Sequence, residues 1–74
     1  MEVEVRLFAT LRLGRFKTRT LDVAEGATVR DVLREAGVPA EAVSLPLING
    51  LYSKLDQHLA PGDVVSAFPA LGGG

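Results

Sequence analysis

The stretch that decides the fold is Thr28-Val29-Arg30-Asp31-Val32-Leu33-Arg34-Glu35-Ala36-Gly37. Four of its apolar residues recur at the i, i+3, i+4, i+7 spacing of one buried helical stripe: Val29, Val32, Leu33 and Ala36. Thr28 suits the N-cap position, and Asp31 completes a capping box with the shorter acid. Gly37 is a good left-handed stop. The stretch therefore predicts a helix over 28–36 whose apolar stripe must be covered by other elements.

Strand patterns lie on the N-terminal side of this helix. Residues 2–8 alternate polar and apolar side chains with the period of two that marks a half-buried strand. Residues 16–23, rich in threonine, predict a second strand that pairs with the first across a loop at Leu13-Gly14. Phe16 and Leu21 differ in parity, which favours a bulge or an altered register in this second strand.

Further strands are predicted on the C-terminal side. Pro39 prevents the helix from resuming. The apolar run at 43–48 suggests a third strand, and Asn49-Gly50 is a dipeptide that favours a tight hairpin turn. Residues 51–59 are compatible with a short strand or a turn, and 64–68 form the last strand after a turn at 60–63. The order predicts one sheet with a helix across one face.

Composition removes several classes of protein. The chain has 74 residues, a hydrophobic fraction of 47%, a net charge of −1 and no cysteine. These values predict one small domain with a real core, and they exclude disulfides, thiolate metal sites and a cysteine nucleophile. No apolar run approaches the length of a membrane span, and the acidic start Met1-Glu2-Val3-Glu4 argues against a signal peptide. We expect a cytoplasmic protein that binds neither membrane nor nucleic acid.

The chain ends in Gly72-Gly73-Gly74, directly after the last predicted strand. Because glycine lacks a Cβ, such a tail can thread a narrow channel in another protein and present its carboxyl carbon there. This suggests a carrier whose terminus is activated by a partner enzyme. The alternative is that the glycines are an ordinary frayed end.

Several positions match one known pattern. They are Asn49, Asp56, Leu59, Gly62-Asp63, the tail Phe68-Pro69-Ala70-Leu71-Gly72-Gly73-Gly74, and the run Val5-Arg6-Leu7-Phe8-Ala9-Thr10-Leu11-Arg12 near the start. In these residues the chain resembles the MoaD/ThiS family of ubiquitin-like sulfur carriers, with a tail similar to that of the molybdopterin synthase small subunit. Ala70 stands where that tail usually has a second proline, and Gly72 replaces the usual small residue.

The resemblance implies an α+β fold of the β-grasp (ubiquitin-like) type, with a mixed four- to five-stranded sheet packed on one main helix. It implies a domain over 1–71 and a flexible glycine tail over 72–74. A ubiquitin-activating-type enzyme would use Mg and ATP to adenylate the carboxylate of Gly74, and a sulfur donor would displace AMP to leave a thiocarboxylate. Gly73 would accompany Gly74 in the reacting tail. The chain itself would bind no cofactor and would not be an enzyme alone.

A partner-binding set follows from the same resemblance, because binding energy must come from an apolar patch near the tail. Its members are Phe8, Tyr52, Phe68, Pro69, Leu71 and Gly72. The alternative is that the aromatic residues are ordinary core or edge side chains. Asp56, His58 and Asp63 crowd one segment, but a single histidine with two carboxylates in a turn region is a weak metal set. We expect no metal site.

Four functions remain open. The first is the small subunit of a molybdopterin synthase, whose tail enters a large catalytic subunit during synthesis of the molybdenum or tungsten cofactor. The second is a sulfur carrier for thiamine synthesis or tRNA thiolation. The third is a ubiquitin-like modifier joined through Gly74 to lysines. The fourth is an interaction module without covalent chemistry.

Overall fold

The computed structural model describes residues 1–70. Within these residues, five strands and one α-helix form the fold, together with two short 3₁₀ helices at Ala9–Arg12 and Ala40–Ala42. In chain order the elements are β1 (Glu2–Leu7), β2 (Thr18–Asp22), α1 (Val29–Glu35), β3 (Val43–Ile48), β4 (Leu51–Tyr52) and β5 (Val64–Pro69). No helix in this part of the chain is long and apolar enough to cross a membrane.

The strands form one mixed sheet in the order β2-β1-β5-β3-β4. The N-terminal strand β1 pairs antiparallel with β2 and parallel with β5, so the first and last strands lie side by side at the centre of the sheet. The strand β3 pairs antiparallel with both β5 and β4. This is the β-grasp topology that the resemblance implied; four to five strands were expected, and the sheet has five.

The core lies between the sheet and α1. Along β1 the alternation is clean, with Val3, Val5 and Leu7 fully buried on the helix side. The helix contributes Val29, Val32 and Leu33, and β5 contributes Val65 and Ala67. Burial of these apolar side chains is the main force that holds the helix on the sheet.

The predicted helix caps are both present. The Thr28 hydroxyl accepts a hydrogen bond from the Asp31 amide at 3.2 Å, and the Asp31 carboxylate accepts one from the Thr28 amide at 3.0 Å. The bond from the Thr28 amide to the carboxylate is the largest cause that holds the pKa of Asp31 below its usual value, and the nearby Thr28 hydroxyl lowers it further. At the other end, Gly37 adopts a left-handed φ of 76°.

The bulge or altered register predicted for the second strand is absent from the pairing of β2. The pairing of β1 with β2 runs without a shift from Glu2–Asp22 to Arg6–Thr18. Phe16 lies before β2 begins and packs against the core outside the β1–β2 pairing. Its position in the alternation therefore does not affect the register of β2. The segment before it was expected to be a plain loop, but it contains a 3₁₀ helix whose Leu11 is buried. Anchoring of this apolar residue explains why the connection folds back onto the domain.

A register shift occurs instead in β3, between Val43 and Leu45. Val43 packs against the core, whereas Leu45, two residues later, is exposed on the other face of the sheet. The shift changes the parity of the strand between them. The turn that follows agrees with the prediction, because Asn49 and Gly50 both have positive φ (51° and 83°), as a tight hairpin turn requires.

Candidate functional site

The chain leaves the sheet at the end of β5, between its two neighbouring strands. On one side the Phe8 amide donates to the carbonyl of Ala67 at 3.1 Å, just past the end of β1. On the other side Pro69 lies opposite Val43, the first residue of β3. The described tail residues therefore emerge beside Phe8 and the 3₁₀ helix that follows it.

Two aromatic residues meet at this exit. The rings of Phe8 and Phe68 stack with their centroids 4.1 Å apart and their planes inclined by 8°. Both residues are half-buried. They extend the parallel register of β1 and β5 on the face of the sheet that points away from α1, which we call the outer face. Stacked rings supply large contact areas with little loss of conformational freedom, as docking surfaces commonly do.

Aliphatic side chains of the next strand continue this surface. Leu45 of β3 lies opposite Phe68, and Leu47 lies opposite Ser66. Tyr52 of β4 pairs with Leu47 at the edge of the sheet and is 69% exposed. We call these five residues the apolar patch: Phe8, Leu45, Leu47, Tyr52 and Phe68.

The other half of the outer face is polar. The outward side chains of β1 are Glu2, Glu4 and Arg6, and β2 presents Thr18, Thr20 and Asp22. The outer face is thus divided along the boundary between β1 and β5. Contiguous exposed apolar surface rimmed by polar residues is typical of a protein interaction site.

The three aromatic candidates from the sequence therefore share one face of the sheet, and Pro69 lies half-buried at its end. Leu71, Gly72, Gly73 and Gly74 lie outside the described residues. The sequence reading missed Leu45 and Leu47. Their signal was the apolar run at 45–48, since a strand with apolar residues of both parities can present one set to a partner.

The residues Asn49 and Asp63, which belong to the family pattern, have a structural role. The Asn49 side chain donates to the Asp63 carboxylate at 3.0 Å and accepts from the Val64 amide at 2.9 Å. The other oxygen of Asp63 accepts from the Ala60 amide at 2.8 Å. Together they tie the β3–β4 turn to the turn that starts β5.

The neighbouring charged residues contact different partners. Asp56 forms an ion pair with Arg30 of α1, and the His58 Nδ1 donates to the carbonyl of Gly26 at 2.6 Å. Within residues 1–70, no group of three or more histidine, aspartate or glutamate side chains is arranged to hold a metal ion. These contacts attach the 51–59 segment to the turn before α1 and to the helix itself.

The topology and the apolar patch define the class of the protein, which is a ubiquitin-like β-grasp domain. The sequence matches the family model of the Mut7-C ubiquitin domain over residues 1–72, and the chain belongs to that family. No curated protein matches the sequence.

Several solved structures are similar over nearly the whole chain. SAMP1 from Haloferax volcanii is 29% identical with a TM-score of 0.80, and each chain is covered completely. A putative molybdopterin converting factor subunit 1 from Pyrococcus furiosus is 30% identical with a TM-score of 0.77, over 96% of this chain and 99% of that one. The complex of subunits 1 and 2 of molybdopterin-converting factor from Helicobacter pylori includes a chain 27% identical, with a TM-score of 0.66 and full coverage of both. These similarities support a sulfur carrier or a ubiquitin-like modifier.

Proposed function

We propose that the protein is a sulfur carrier whose C-terminal carboxylate is converted to a thiocarboxylate by a partner enzyme. The observation that supports this most directly is the position of the apolar patch, which lies on the outer face where β5 delivers the chain toward its terminal glycines. A carrier needs this combination, because its reactive group is bound by one enzyme while its body supplies the affinity.

The chemistry proceeds in two steps. An oxygen of the Gly74 carboxylate attacks the α-phosphate of ATP in the activating enzyme, which forms an acyl-adenylate and releases pyrophosphate. Hydrosulfide supplied by a sulfur donor then attacks the acyl carbon, the bond from that carbon to the AMP oxygen breaks, and AMP leaves. Loss of the sulfur-bound proton to solvent leaves –C(=O)S⁻ on Gly74. Magnesium and ATP belong to the activating enzyme. The chain acts as substrate and carrier and catalyses neither step.

The body of the domain provides the binding energy. Burial of apolar surface contributes about 25 cal/mol per Å² removed from water. The free energy gained in this way must exceed the free-energy cost of ordering the glycine tail. The stacked rings of Phe8 and Phe68 are already fixed before binding, so little further order is lost there. The three glycines place no side chain in the channel that receives the tail.

Within this function, the small subunit of a molybdopterin-synthase-like complex is the pathway that we favour. Support comes from the similarity to subunit 1 of molybdopterin-converting factors, one of them in a complex with subunit 2. In this proposal a large subunit accepts the tail and receives the sulfur. Sulfur delivery to thiamine synthesis or tRNA thiolation is the alternative pathway.

The second candidate function is that of a ubiquitin-like modifier. It is favoured by the similarity to a structure described as H. volcanii small archaeal modifier protein 1, at 26% identity and a TM-score of 0.75. Here the same acyl-adenylate, or a thioester made from it, would be attacked by a lysine amine of a target to form an isopeptide bond. Lys17 and Lys54 of the chain itself are exposed and available as acceptors.

Intact mass analysis of the protein, purified from its host without a C-terminal tag, tests the proposal. We expect a fraction heavier by the exchange of one oxygen for one sulfur, and this fraction should react with thiol-directed reagents although the chain has no cysteine. Incubation with the host's activating enzyme, Mg-ATP and a sulfide source should increase it. If no sulfur is gained after incubation and lysine adducts carrying the terminal Gly-Gly are found instead, the modifier function is correct.

A further inference from the structure

The positive charge of the chain is concentrated in one segment. Positions 5–21 contain five of the eight basic residues and no acidic one: Arg6, Arg12, Arg15, Lys17 and Arg19. The acidic residues of the chain all lie outside this segment. Within residues 1–70, Arg6 forms an ion pair with Glu4, and the other four basic residues of the segment form none. The segment therefore retains most of its positive field.

Two of these arginines lie beside the apolar patch. The guanidinium of Arg12 lies over the Phe8 ring, 5.3 Å from its centroid, and its Nε donates to the carbonyl of Leu7 at 2.7 Å. Arg6 lies on the outer face of β1, two residues before Phe8. Arg6, Phe8 and Arg12 all line a shallow cavity of about 300 Å³. The bond to Leu7 uses one donor of Arg12 and leaves the forked NH₂ groups for another acceptor.

The other two arginines are held differently. Arg15 donates through Nε to the carbonyl of Gly37 at 2.9 Å, and Arg19 stacks over Phe16 at 4.5 Å. Arg15, Arg19 and Gly37 line a separate cavity at the C-terminal end of α1. The positive segment is thus divided between two sides of the domain. Arg6, Arg12 and Lys17 line the cavity beside the patch, and Arg15 and Arg19 line the other cavity.

We propose that Arg6 and Arg12 are the charged border of the docking surface, and that the partner enzyme presents carboxylates opposite them beside its own apolar contact. This inference rests on the proposed function and names the chemistry of the partner at that site. Charge complementarity at the rim of an interface raises the association rate and fixes the register of docking, while the apolar centre supplies most of the affinity. Correct register matters here, because it sets where the tail enters the partner.

A protein face fits this surface better than RNA does. The aromatic rings beside the arginines stack on each other, so neither ring offers both of its faces to a base. An aliphatic patch built from Leu45 and Leu47 also matches an apolar protein surface.

The test compares two charge-reversed variants with the same change in net charge. The variant R6E/R12E alters the border of the patch, and R15E/R19E alters the other side of the same segment. Each is mixed with the host's activating enzyme and Mg-ATP, and the association rate constant and the rate of pyrophosphate release are measured against salt concentration. At low salt we expect R6E/R12E to associate about tenfold more slowly than wild type, and R15E/R19E to change by less than about twofold.

Two further readouts separate charge from structure. The difference should vanish near 1 M salt, where the Debye length falls to about 3 Å, whereas a misfolded variant would not recover. The conservative variant R12K should retain most of the rate, because it keeps the positive charge. A loss with R12K as large as that with R6E/R12E would show that Arg12 acts only by holding Leu7 and Phe8, and it would overturn the inference.

The remaining outcomes are also decisive. Equal losses of association rate in both double variants would mean that net charge alone steers the encounter. That result would overturn the inference and leave the carrier function intact. If R6E/R12E is activated normally but no longer binds tRNA that the wild type binds, the border recognises RNA. That outcome would also overturn the inference. If wild-type protein is never adenylated, the proposed function fails, and the inference fails with it.

Discussion

Phe8 and Phe68 stack in parallel at 4.1 Å although they lie near opposite ends of the sequence. The contact closes the parallel pair of β1 and β5 at the point where the chain leaves the sheet. The same two rings form the centre of the apolar patch. One interaction therefore holds the end of β5 against the end of β1 and shapes the centre of the apolar patch.

The stack should be measurable as a coupling free energy. In a double-mutant cycle of Phe8→Leu and Phe68→Leu, urea unfolding should give a coupling of about 0.5–1.5 kcal/mol, the usual value for aromatic pairs beyond their buried area. Replacement by leucine keeps most of the apolar volume and isolates the contact between the rings. Additive single effects would show that the stack contributes nothing specific.

Tyr52 separates docking from folding. Because its side chain is 69% exposed, Tyr52→Ser should change the free energy of unfolding by less than about 0.5 kcal/mol. If it contacts the activating enzyme, its loss should weaken binding by about 1 kcal/mol or more, a factor of at least about five. Binding is measured by calorimetry. The matched control is Leu13→Ser, at a residue 71% exposed that lies with Gly37 away from the patch, and it should bind normally.

Deletion of Gly74 tests the reactive end. The shortened protein should not be adenylated, since the acyl carbon would lie one residue short of the nucleotide. We expect no more than a small change in the melting temperature, because the buried core of residues 1–70 ends within β5. Pyrophosphate release and thermal unfolding are measured on the same samples. Normal adenylation of the deletion variant would contradict the carrier function.

Asn49 should matter for stability rather than for chemistry. Its side chain makes two hydrogen bonds and its φ is 51°, a conformation that asparagine tolerates better than most residues. Asn49→Ala should cost about 1–2 kcal/mol of unfolding free energy. Asn49→Gly removes the same bonds without the backbone strain, so it should cost less than alanine. Adenylation measured well below the melting temperature should remain normal in both.

The capping box predicts a pH dependence at the start of α1. Thr28→Ala should destabilise the protein by about 1 kcal/mol at neutral pH. Asp31 has a pKa lowered from 3.8, so its contribution is complete above that value and is lost as the pH falls through the lower pKa of the folded state. The difference in stability between wild type and Asp31→Asn should therefore shrink below about pH 4. A difference that stays constant down to pH 2 would show that ionisation of Asp31 is not involved.

Much of the local structure could be read from the sequence. The helix, its capping box and its stop at Gly37 depend on residues within ten positions of one another, and all three were predicted. The Asn49-Gly50 turn was likewise predicted from its dipeptide, since positive φ at both positions suits these residues. The expected bulge in β2 was wrong because Phe16 packs outside the ladder, which alternation alone does not reveal.

What the sequence by itself determined is therefore the local conformation of the chain, through backbone preferences and the period of its apolar residues. The β-grasp class was reached by resemblance rather than by periodicity. Only the tertiary structure decided which distant residues meet: Phe8 on Phe68, Asn49 with Asp63, and Arg12 at the border of the apolar patch. The physical reason is that strand order and register are set by packing of the whole core on α1, to which every element contributes.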